Sequence, residues 1–223
     1  MSIIREHIER PSRELITRLQ AMPTTIISDA MNRANGMRAA IKPLRPGVSC
    51  CGPAVTVQAM VGCNLLSHKA IYVAQPGDVI VFDARGHVDT SVWGYLQTRA
   101  CQIRQLAGVV IDGSVRDSAE IRKSGFPVFC AGVSSLGPHK GWADRINVPI
   151  QCGGAPVVPG DIIIGDDDGV VVVPKGSAER VAQIAHELLE LEKSWFTRLE
   201  KGETTLSILD LDTKIKALGE RVV

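Results

Sequence analysis

The sequence predicts a mixed α/β domain with a core of parallel strands. Between residues 54 and 132, short apolar segments typical of buried strands alternate with segments whose apolar residues recur at helical spacing. This alternation indicates right-handed crossover connections between parallel strands. From residue 147 onward, short β runs are broken by Gly, Pro and Asp, which predicts antiparallel hairpins.

The N-terminal part is predicted to hold two short helices before the first long strand. The segment "SRELITRLQAM" (12–22) has an amphipathic pattern, and "PTTIISDAMNRA" (23–34) follows with Thr24 or Thr25 as the helix cap. The segment "AVTVQAM" (54–60) is predicted to be a strand.

The middle of the chain is predicted to alternate helices and strands. In order, the segments are a helix at 64–74, a turn, buried strand and loop at 77–86, a helix at 90–107, a strand at 108–111, a short helix at 117–125 and a strand at 126–132.

The C-terminal part is predicted to contain hairpins at 147–176 and then a long helix. One face of that helix carries Val181, Ile184, Ala185, Leu188 and Leu191, and this face is expected to pack on the domain or on a neighbouring subunit. We predict a single domain, in which an N-terminal helix (1–23), a core (24–174) and a C-terminal helical segment (175–223) form one unit.

Composition narrows the class of protein. The chain has 223 residues, of which 45% are hydrophobic and 22% charged, with a formal net charge of +1 and no block of like charge. We therefore expect neither a nucleic-acid partner nor a membrane partner. Six cysteines without C-x-x-C spacing, and an N-terminal segment too charged for a signal peptide, predict a cytoplasmic protein without a disulfide framework.

The pair Arg116-Asp117 has two interpretations. It follows the apolar run "GVVI" and the turn-like "DGSV". Ser114 and Asp117 are spaced as in a capping box, so Asp117 could serve only to begin a helix. Alternatively, the pair lies past the carboxyl end of a buried strand, which is where ligands bind in open α/β sheets.

The second interpretation predicts a site for an α-keto acid. Asp117 would supply a hard oxygen ligand for Mg²⁺ or Mn²⁺, and Arg116 a planar fork for a carboxylate. Such a metal polarises a keto oxygen, and an arginine beside it stabilises the developing enolate.

Several motifs in order resemble one protein family. They are "GDVIVFDARG" (77–86), "WGYLQTRACQIRQLAGVVIDGSVRD" (93–117), "FPVFCAG" (126–132), "NVPIQCGG" (147–154) and "PGDIIIGDDDGVVVVP" (159–174). They are similar to the 4-hydroxy-4-methyl-2-oxoglutarate and 4-carboxy-4-hydroxy-2-oxoadipate aldolases, the RraA-like family that also contains the regulator of ribonuclease activity A. Members are often mislabelled as dimethylmenaquinone methyltransferases, but this sequence has no G-x-G-x-G loop between a strand and a helix.

The resemblance implies a swivelling-type β/β/α domain assembled as trimers or dimers of trimers, with the active site at the subunit interface. It implies a divalent-metal-dependent class II aldolase that cleaves a 4-hydroxy-2-oxo dicarboxylic acid to pyruvate and a second oxo acid. Oxaloacetate decarboxylation is implied as a side activity.

The resemblance also implies roles for particular residues. Asp117 matches the metal ligand and Arg116 the substrate arginine. The segment Gly94, Tyr95, Leu96 and Gln97 matches the loop whose backbone amides hold the substrate. Glu192 best matches a proton-shuttling glutamate from the last helix of an adjacent subunit, and Glu190 is the alternative.

The sequence departs from the family pattern at two positions. Tyr95 stands where the family has an acid, and Cys63 stands in "GCN" where many relatives read Gly-Asp-Asn. Both changes remove negative charge, which weakens the expected metal site. Two alternatives therefore remain: a non-catalytic regulatory binding protein, and an enzyme whose main activity is decarboxylation.

Other polar residues have weaker signals. His68 and Lys69 lie in a predicted helix that could face the site, although a lone helical histidine is more often structural. Lys140 could meet a distal carboxylate of the substrate or could be an exposed loop residue. The run Asp166 to Asp168 is better explained by a turn between two β runs than by a calcium site.

Overall fold

The structure is a computed structural model that describes residues 3–142 and 145–219. The strands in these residues are β1 (Ile3–Ile4), β2 (Lys42–Pro43), β3 (Cys50–Gln58), β4 (Val79–Trp93), β5 (Gly108–Val115), β6 (Val128–Val133), β7 (Arg145–Ile146), β8 (Ile150–Cys152), β9 (Ala155–Val157), β10 (Ile162–Asp166) and β11 (Gly169–Val173). The helices are α1 (Arg13–Gln20), α2 (Thr24–Ala30), α3 (Leu65–Val73), α4 (Tyr95–Ile103), α5 (Ser118–Ser124), α6 (Ala178–Glu200), α7 (Thr205–Ile208) and α8 (Leu211–Ala217).

The centre of the fold is a parallel sheet, which confirms the predicted α/β class. Strands β3, β4, β5 and β6 lie side by side in this order and are parallel. Helices α3, α4 and α5 connect them in sequence. The predicted hairpins are also present, since β8 pairs with β9 and β10 with β11 in antiparallel fashion. Strand β10 also pairs antiparallel with β3 and so joins this hairpin to the sheet.

Three apolar clusters fill the interior. The first lies between one face of the sheet and the crossover helices, and includes Phe82, Trp93 and Ile121. The second lies between the opposite face and the β8–β9 hairpin. The third lies between the β10–β11 hairpin and helices α1, α2 and α6. Because both faces of the parallel sheet are covered, its strands are apolar almost without interruption.

Two strands are longer than the sequence predicts. Strand β4 continues to Trp93, so residues 90–93 are strand and not the beginning of a helix, which is a correction. Strand β5 extends to Val115 and not only to residue 111. The two ends pair with each other at Trp93 and Val115. This tertiary pairing overrides the helical spacing that local sequence suggests.

The predicted cap of the second helix is also corrected. Pro23 is the N-cap residue of α2 and makes no side-chain cap bond. The backbone amide and the hydroxyl of Thr24 instead donate to the carboxylate of Asp166, at 2.9 and 2.7 Å. Asp166 ends β10, and residues 167–168 form the turn of the hairpin, as predicted.

The long C-terminal helix is packed mainly along its first half. Val181 and Ala185 are buried in the third cluster, and Leu188 is half-buried against it. Leu191, on the same predicted face, is 45% exposed. None of the helices in residues 3–142 and 145–219 is both long and apolar enough to cross a membrane.

The six cysteines are free and buried. Burial raises the pKa of the Cys51 and Cys101 thiols to about 12 and that of Cys130 to about 11. These side chains therefore act as small apolar residues.

A buried ion pair ties the N-terminal segment to the sheet. Arg10 donates from Nε and Nη2 to the two carboxylate oxygens of Asp78, at 2.9 and 2.7 Å. The Asp78 side chain is only 2% exposed. Arg10→Met is expected to lower the free energy of unfolding by about 3–5 kcal/mol, because it leaves a buried carboxylate without its charged partner and, among the described residues, with only the Gln75 amide as a donor.

Urea denaturation followed by circular dichroism measures this effect. The matched control is Arg18→Met, which breaks an exposed pair with Glu179 and should change the free energy of unfolding by about 1 kcal/mol or less. Equal effects of the two substitutions would contradict the prediction.

Candidate active site

The candidate site lies where β4 and β5 end at the same edge of the sheet. The backbone amide of Arg116 donates to the carbonyl oxygen of Trp93, at 2.9 Å. A cleft of about 130 Å³ opens beside this point. Its walls come from α3, the start of α4, the Arg116-Asp117 pair and the loop that holds Pro138 and Lys140. The carboxyl edge of the parallel strands therefore holds the cleft, as the sheet rule predicts.

Asp117 has a left-handed backbone conformation, with φ 55° and ψ 37°. Its Oδ2 atom accepts a hydrogen bond from the backbone amide of Tyr95, at 3.0 Å. The guanidinium Nε of Arg116 lies 4.0 Å from the same oxygen. A non-glycine residue in this conformation costs on the order of 1–2 kcal/mol, and Asp tolerates it better than most. The conformation turns the carboxylate toward the beginning of α4.

The capping-box interpretation of Ser114 is wrong. The hydroxyl of Ser114 donates to the carbonyl oxygen of Val88, at 2.6 Å, and so joins two neighbouring strands. Asp117 is the N-cap residue of α5 but makes no side-chain cap bond there. Its carboxylate serves the N-terminus of α4, which is distant in sequence and adjacent in space.

Gly94 permits the close approach of the Arg116-Asp117 pair. A Cβ atom at position 94 would lie 2.7 Å from Asp117 Oδ2 and 3.4 Å from Arg116 Cγ. On the other side, a Cβ atom at Gly137 would lie 2.9 Å from Arg116 Nη1. The guanidinium therefore lies between two backbone segments that carry no side chain at the point of contact.

The start of α4 provides backbone amides at the cleft. The first amides of a helix have no partner within it. Thr98 is the first residue of α4 whose amide reaches a carbonyl one turn back, that of Gly94, at 3.1 Å. The Tyr95 amide is bound by Asp117, so the amides of Leu96 and Gln97 are left at the helix N-terminus. Within the predicted substrate loop, the Tyr95 amide thus positions Asp117, and the amides of Leu96 and Gln97 lie in the first turn of α4 beside the cleft.

A polar network that the sequence did not predict lies under the cleft. The side-chain amide of Asn64 donates to Gln97 Oε1 at 3.4 Å, and Gln97 Nε2 donates to Ser67 Oγ at 2.7 Å. All three side chains are buried. The Oδ1 atom of Asn64 is buried and has no hydrogen-bond partner among the described residues. In the sequence, the one indication of this network is that Asn64, in "GCN" (62–64), lies at the start of a predicted helix.

His68 and Lys140 line the cleft, whereas Lys69 does not. His68 lies one helical turn after Asn64, and it makes no hydrogen bond or ion pair with any described residue. Burial, and then the Lys140 cation, lower the pKa of His68 from its ordinary value of 6.5. Lys69 points elsewhere, with its ammonium 3.5 Å from a carboxylate oxygen of Glu6.

The two residues that depart from the family pattern do not line the cleft. The side chain of Tyr95 packs against the first apolar cluster. Cys63 is fully buried. Position 95 therefore contributes a backbone amide to the site, and its side chain stabilises the core.

Glu192 and Glu190 lie on α6 and are not part of the cleft wall in this chain. The carboxylate of Glu190 accepts a hydrogen bond from Lys193 Nζ at 2.6 Å, and this bond with the lysine charge lowers the pKa of Glu190. Among the described residues, Glu192 has no such partner.

Comparison of the chain with known proteins identifies its family. Residues 24–172 match the profile of the RraA-like family, described as Aldolase/RraA. The chain belongs to the RraA-like family.

Three relatives illustrate the range of RraA-like proteins. Over 172 residues the chain is 44% identical to a Halalkalibacterium halodurans protein named "Putative 4-hydroxy-4-methyl-2-oxoglutarate aldolase", covering 77% of this chain and 82% of that protein. Streptomyces coelicolor RraAS2, an unusual member of the RNase ES inhibitor RraA family, is 30% identical with a TM-score of 0.77, over 86% of this chain and 99% of that one. The RNA-processing inhibitor RraA from Thermus thermophilus is 25% identical with a TM-score of 0.63, over 68% and 92%.

The cleft residues of this RraA-like chain fit a hydrated divalent cation better than a fully protein-bound one. The described residues contain no group of three or more His, Cys, Asp and Glu that could hold a metal. Mg²⁺ commonly keeps several waters and uses one or two carboxylates. Asp117 supplies one carboxylate, and the unpartnered Asn64 Oδ1 can accept a hydrogen bond from a hydrated ion.

Two other polar regions lie outside the cleft. Asp112 Oδ2 accepts from the amide of Gly153 at 3.0 Å and from Arg38 Nη2 at 3.3 Å, which joins β5 to the β8–β9 hairpin. Burial raises the pKa of Asp83, which lies on the neighbouring strand. A larger depression of about 510 Å³ beside α2 and β11 opens widely to solvent and contains neither Arg116 nor Asp117.

Gly94→Ala is expected to lower the free energy of unfolding by about 1–3 kcal/mol, because the new methyl group overlaps the Asp117 carboxylate. The measurement is chemical denaturation of the purified protein. Gly176→Ala is the matched control, because a Cβ atom there has no neighbour within 4 Å. A Gly94→Ala protein as stable as the control would show that Asp117 moves aside without loss.

Proposed function

We propose that this chain is a divalent-metal-dependent class II aldolase. It would cleave a 4-hydroxy-2-oxo dicarboxylic acid to pyruvate and a second oxo acid. The observation that carries the proposal is the adjacency of Arg116 and Asp117 at the carboxyl edge of two parallel strands, with the carboxylate held by the Tyr95 amide. The similarity to a protein named as an aldolase supports the same class of reaction.

Each residue of the cleft has a role in this proposal. Asp117 would hold Mg²⁺ or Mn²⁺, which when bound polarises the keto group of the substrate. Arg116, together with the free amides of Leu96 and Gln97, would bind the carboxylate of the pyruvyl end and stabilise the enolate charge that develops there. Lys140 would attract the distal carboxylate.

Two further proposals concern the subunit interface and the location of the protein. The cleft of one chain is smaller than the roughly 300–1,000 Å³ of most ligand pockets. A trimer or a dimer of trimers would complete it, with Glu192 of an adjacent subunit returning a proton to the enolate. We propose that the protein works in the cytoplasm on a small 2-oxo acid.

Decarboxylation of oxaloacetate is the second candidate activity. It needs the same enolate-stabilising groups but no base for a hydroxyl group. The presence of Tyr95 favours it, because the cleft then lacks the carboxylate that the family pattern has at this position, and the tyrosine side chain packs against the first apolar cluster instead. A non-catalytic regulatory role is the third candidate, and the likeness to the two RraA proteins supports it.

Pyruvate release distinguishes these functions. We expect chelator-sensitive pyruvate formation from a 4-hydroxy-4-methyl-2-oxo dicarboxylate with added Mg²⁺ or Mn²⁺, measured by a coupled assay. Pyruvate from oxaloacetate alone would favour the decarboxylase. No pyruvate from either acid, with a folded and metal-loaded oligomer, would favour the regulatory role.

Asp117→Ala is expected to abolish turnover even with excess Mn²⁺, because the carboxylate ligand is lost. Calorimetric titration with Mn²⁺ should show loss of binding in the same variant. Asp212→Asn, at an exposed position on α8, is the matched control and should keep both properties. Full activity of Asp117→Ala would refute the assignment of the metal ligand.

Mixed oligomers test the contribution of Glu192 from a neighbour. Asp117→Ala and Glu192→Gln should each be nearly inactive alone. When the two chains are co-expressed in equal amounts, roughly a quarter of the interface sites combine both native residues, so activity should return to about that fraction. The pair Asp117→Ala and Glu190→Gln is the comparison that identifies the glutamate. Absence of recovery in both mixtures would show that the site lies within one chain.

A further inference from the structure

We propose that His68 is the general base that accepts the 4-hydroxyl proton of the substrate in the proposed cleavage. This inference rests on the proposed aldolase function and goes beyond it by assigning the proton acceptor. The assignment follows from which groups reach the cleft and from what each of them can do.

Position is the first argument. His68 and Asn64 are four residues apart at the start of α3, so they share one face of the helix, and both line the cleft. Arg116 and Asp117 form another part of the same wall. His68 and Arg116 therefore line the same small cleft, of about 130 Å³, which presents a substrate bound by Arg116 to the imidazole.

Elimination is the second argument. The titratable side chains of the described residues that line the cleft are His68, Arg116, Asp117 and Lys140. Arg116 and Lys140 are cations and cannot accept a proton in that state. Asp117 already accepts the Tyr95 amide and is the proposed metal ligand. Tyr95, at the position that the family gives to an acid, has a partly buried side chain that packs against the first apolar cluster and is not part of the cleft wall. Among the described cleft residues of one chain, His68 is the remaining acceptor.

The state of the imidazole agrees with this role. Burial and the Lys140 cation lower the pKa of His68, so the ring is neutral at neutral pH and has a free nitrogen. Neither nitrogen is occupied by a described residue. His139 precedes Lys140 on the facing loop, but it is not part of the cleft wall.

The proposed step is balanced without any oxidant or reductant. His68 takes the proton of the 4-hydroxyl group, and the carbonyl of the second oxo acid forms as the bond between C3 and C4 breaks. The electron pair of that bond becomes the enolate of pyruvate. Protonation of C3, for which Glu192 is the proposed donor, then gives pyruvate. Loss of the proton from His68 to solvent and uptake of one proton by the Glu192 carboxylate restore both groups. Decarboxylation of oxaloacetate has no hydroxyl proton to remove and so does not need His68.

The first test compares two reactions in one variant. His68→Gln keeps hydrogen bonding but cannot carry a proton at neutral pH. It is expected to lower kcat for aldol cleavage by about 100-fold or more, with KM little changed and with oxaloacetate decarboxylation close to the wild-type rate. His7→Gln, at an exposed position outside the cleft, is the matched control and should keep both activities.

The pH profile and chemical rescue provide a second readout. In the wild type, kcat/KM for cleavage should fall as the pH drops through the pKa of His68, because the protonated ring cannot accept a proton. Lys140→Met removes a cation and should move this acid limb to higher pH. In His68→Ala, added imidazole should restore cleavage in proportion to its concentration.

The outcomes separate this proposal from the proposed function. A wild-type rate of cleavage in His68→Gln overturns the assignment of the base and leaves the aldolase function intact. Equal loss of both activities, with no rescue by imidazole and an unchanged acid limb, also overturns it and indicates a structural role. Absence of cleavage by the wild type refutes the proposed function and the inference together.

Discussion

The hydrogen bond from the Tyr95 amide to Asp117 joins the ends of two neighbouring parallel strands, and the geometry of the cleft depends on it. For this bond to form, β4 has to end at Trp93, with only Gly94 between it and α4. Strand β5 has to end at Val115, so that Arg116 and Asp117 follow directly. The left-handed conformation of Asp117 and the missing side chain of Gly94 are both needed for the two segments to approach. Backbone strain at a site of this kind is typical of functional positions.

Electrostatics distinguish the cleft from the other polar clusters of the fold. Its wall carries the cations of Arg116 and Lys140 and a single carboxylate, that of Asp117. Such a balance attracts an anionic molecule, and a bound divalent ion would strengthen the attraction. The acidic groups at Asp83 and Asp112 lie away from this cleft, and the Asp112 carboxylate binds Arg38 and a backbone amide, which favours a structural role.

The replacement of an acid by Tyr95 changes what the first residue of α4 contributes. Its backbone amide still donates to Asp117, while its partly buried side chain packs against the first apolar cluster. The cleft consequently has fewer proton acceptors within the chain. A half-buried imidazole on the facing helix has the position and the protonation state to replace the missing acid.

Much of the architecture was determined by the sequence alone. Apolar runs, Gly and Pro positions and helical spacing predicted the parallel core, the hairpins and the long C-terminal helix, because these patterns are local consequences of burial and backbone geometry. The sequence also places Arg116 and Asp117 directly after a buried strand, and the structure has them there because the apolar run of β5 ends at Val115.

The details of the site depend on how the strands pair and how the helices pack on the sheet, and the local sequence does not predict them. The extension of β4 to Trp93 and the role of Asp117 at α4 depend on pairing between strands, which local spacing does not encode. The buried network of Asn64, Ser67 and Gln97, and the exposure of His68 to the cleft, depend on how α3 and α4 lie over the sheet. Contacts between residues about thirty positions apart arise from packing, and packing is a property of the whole fold.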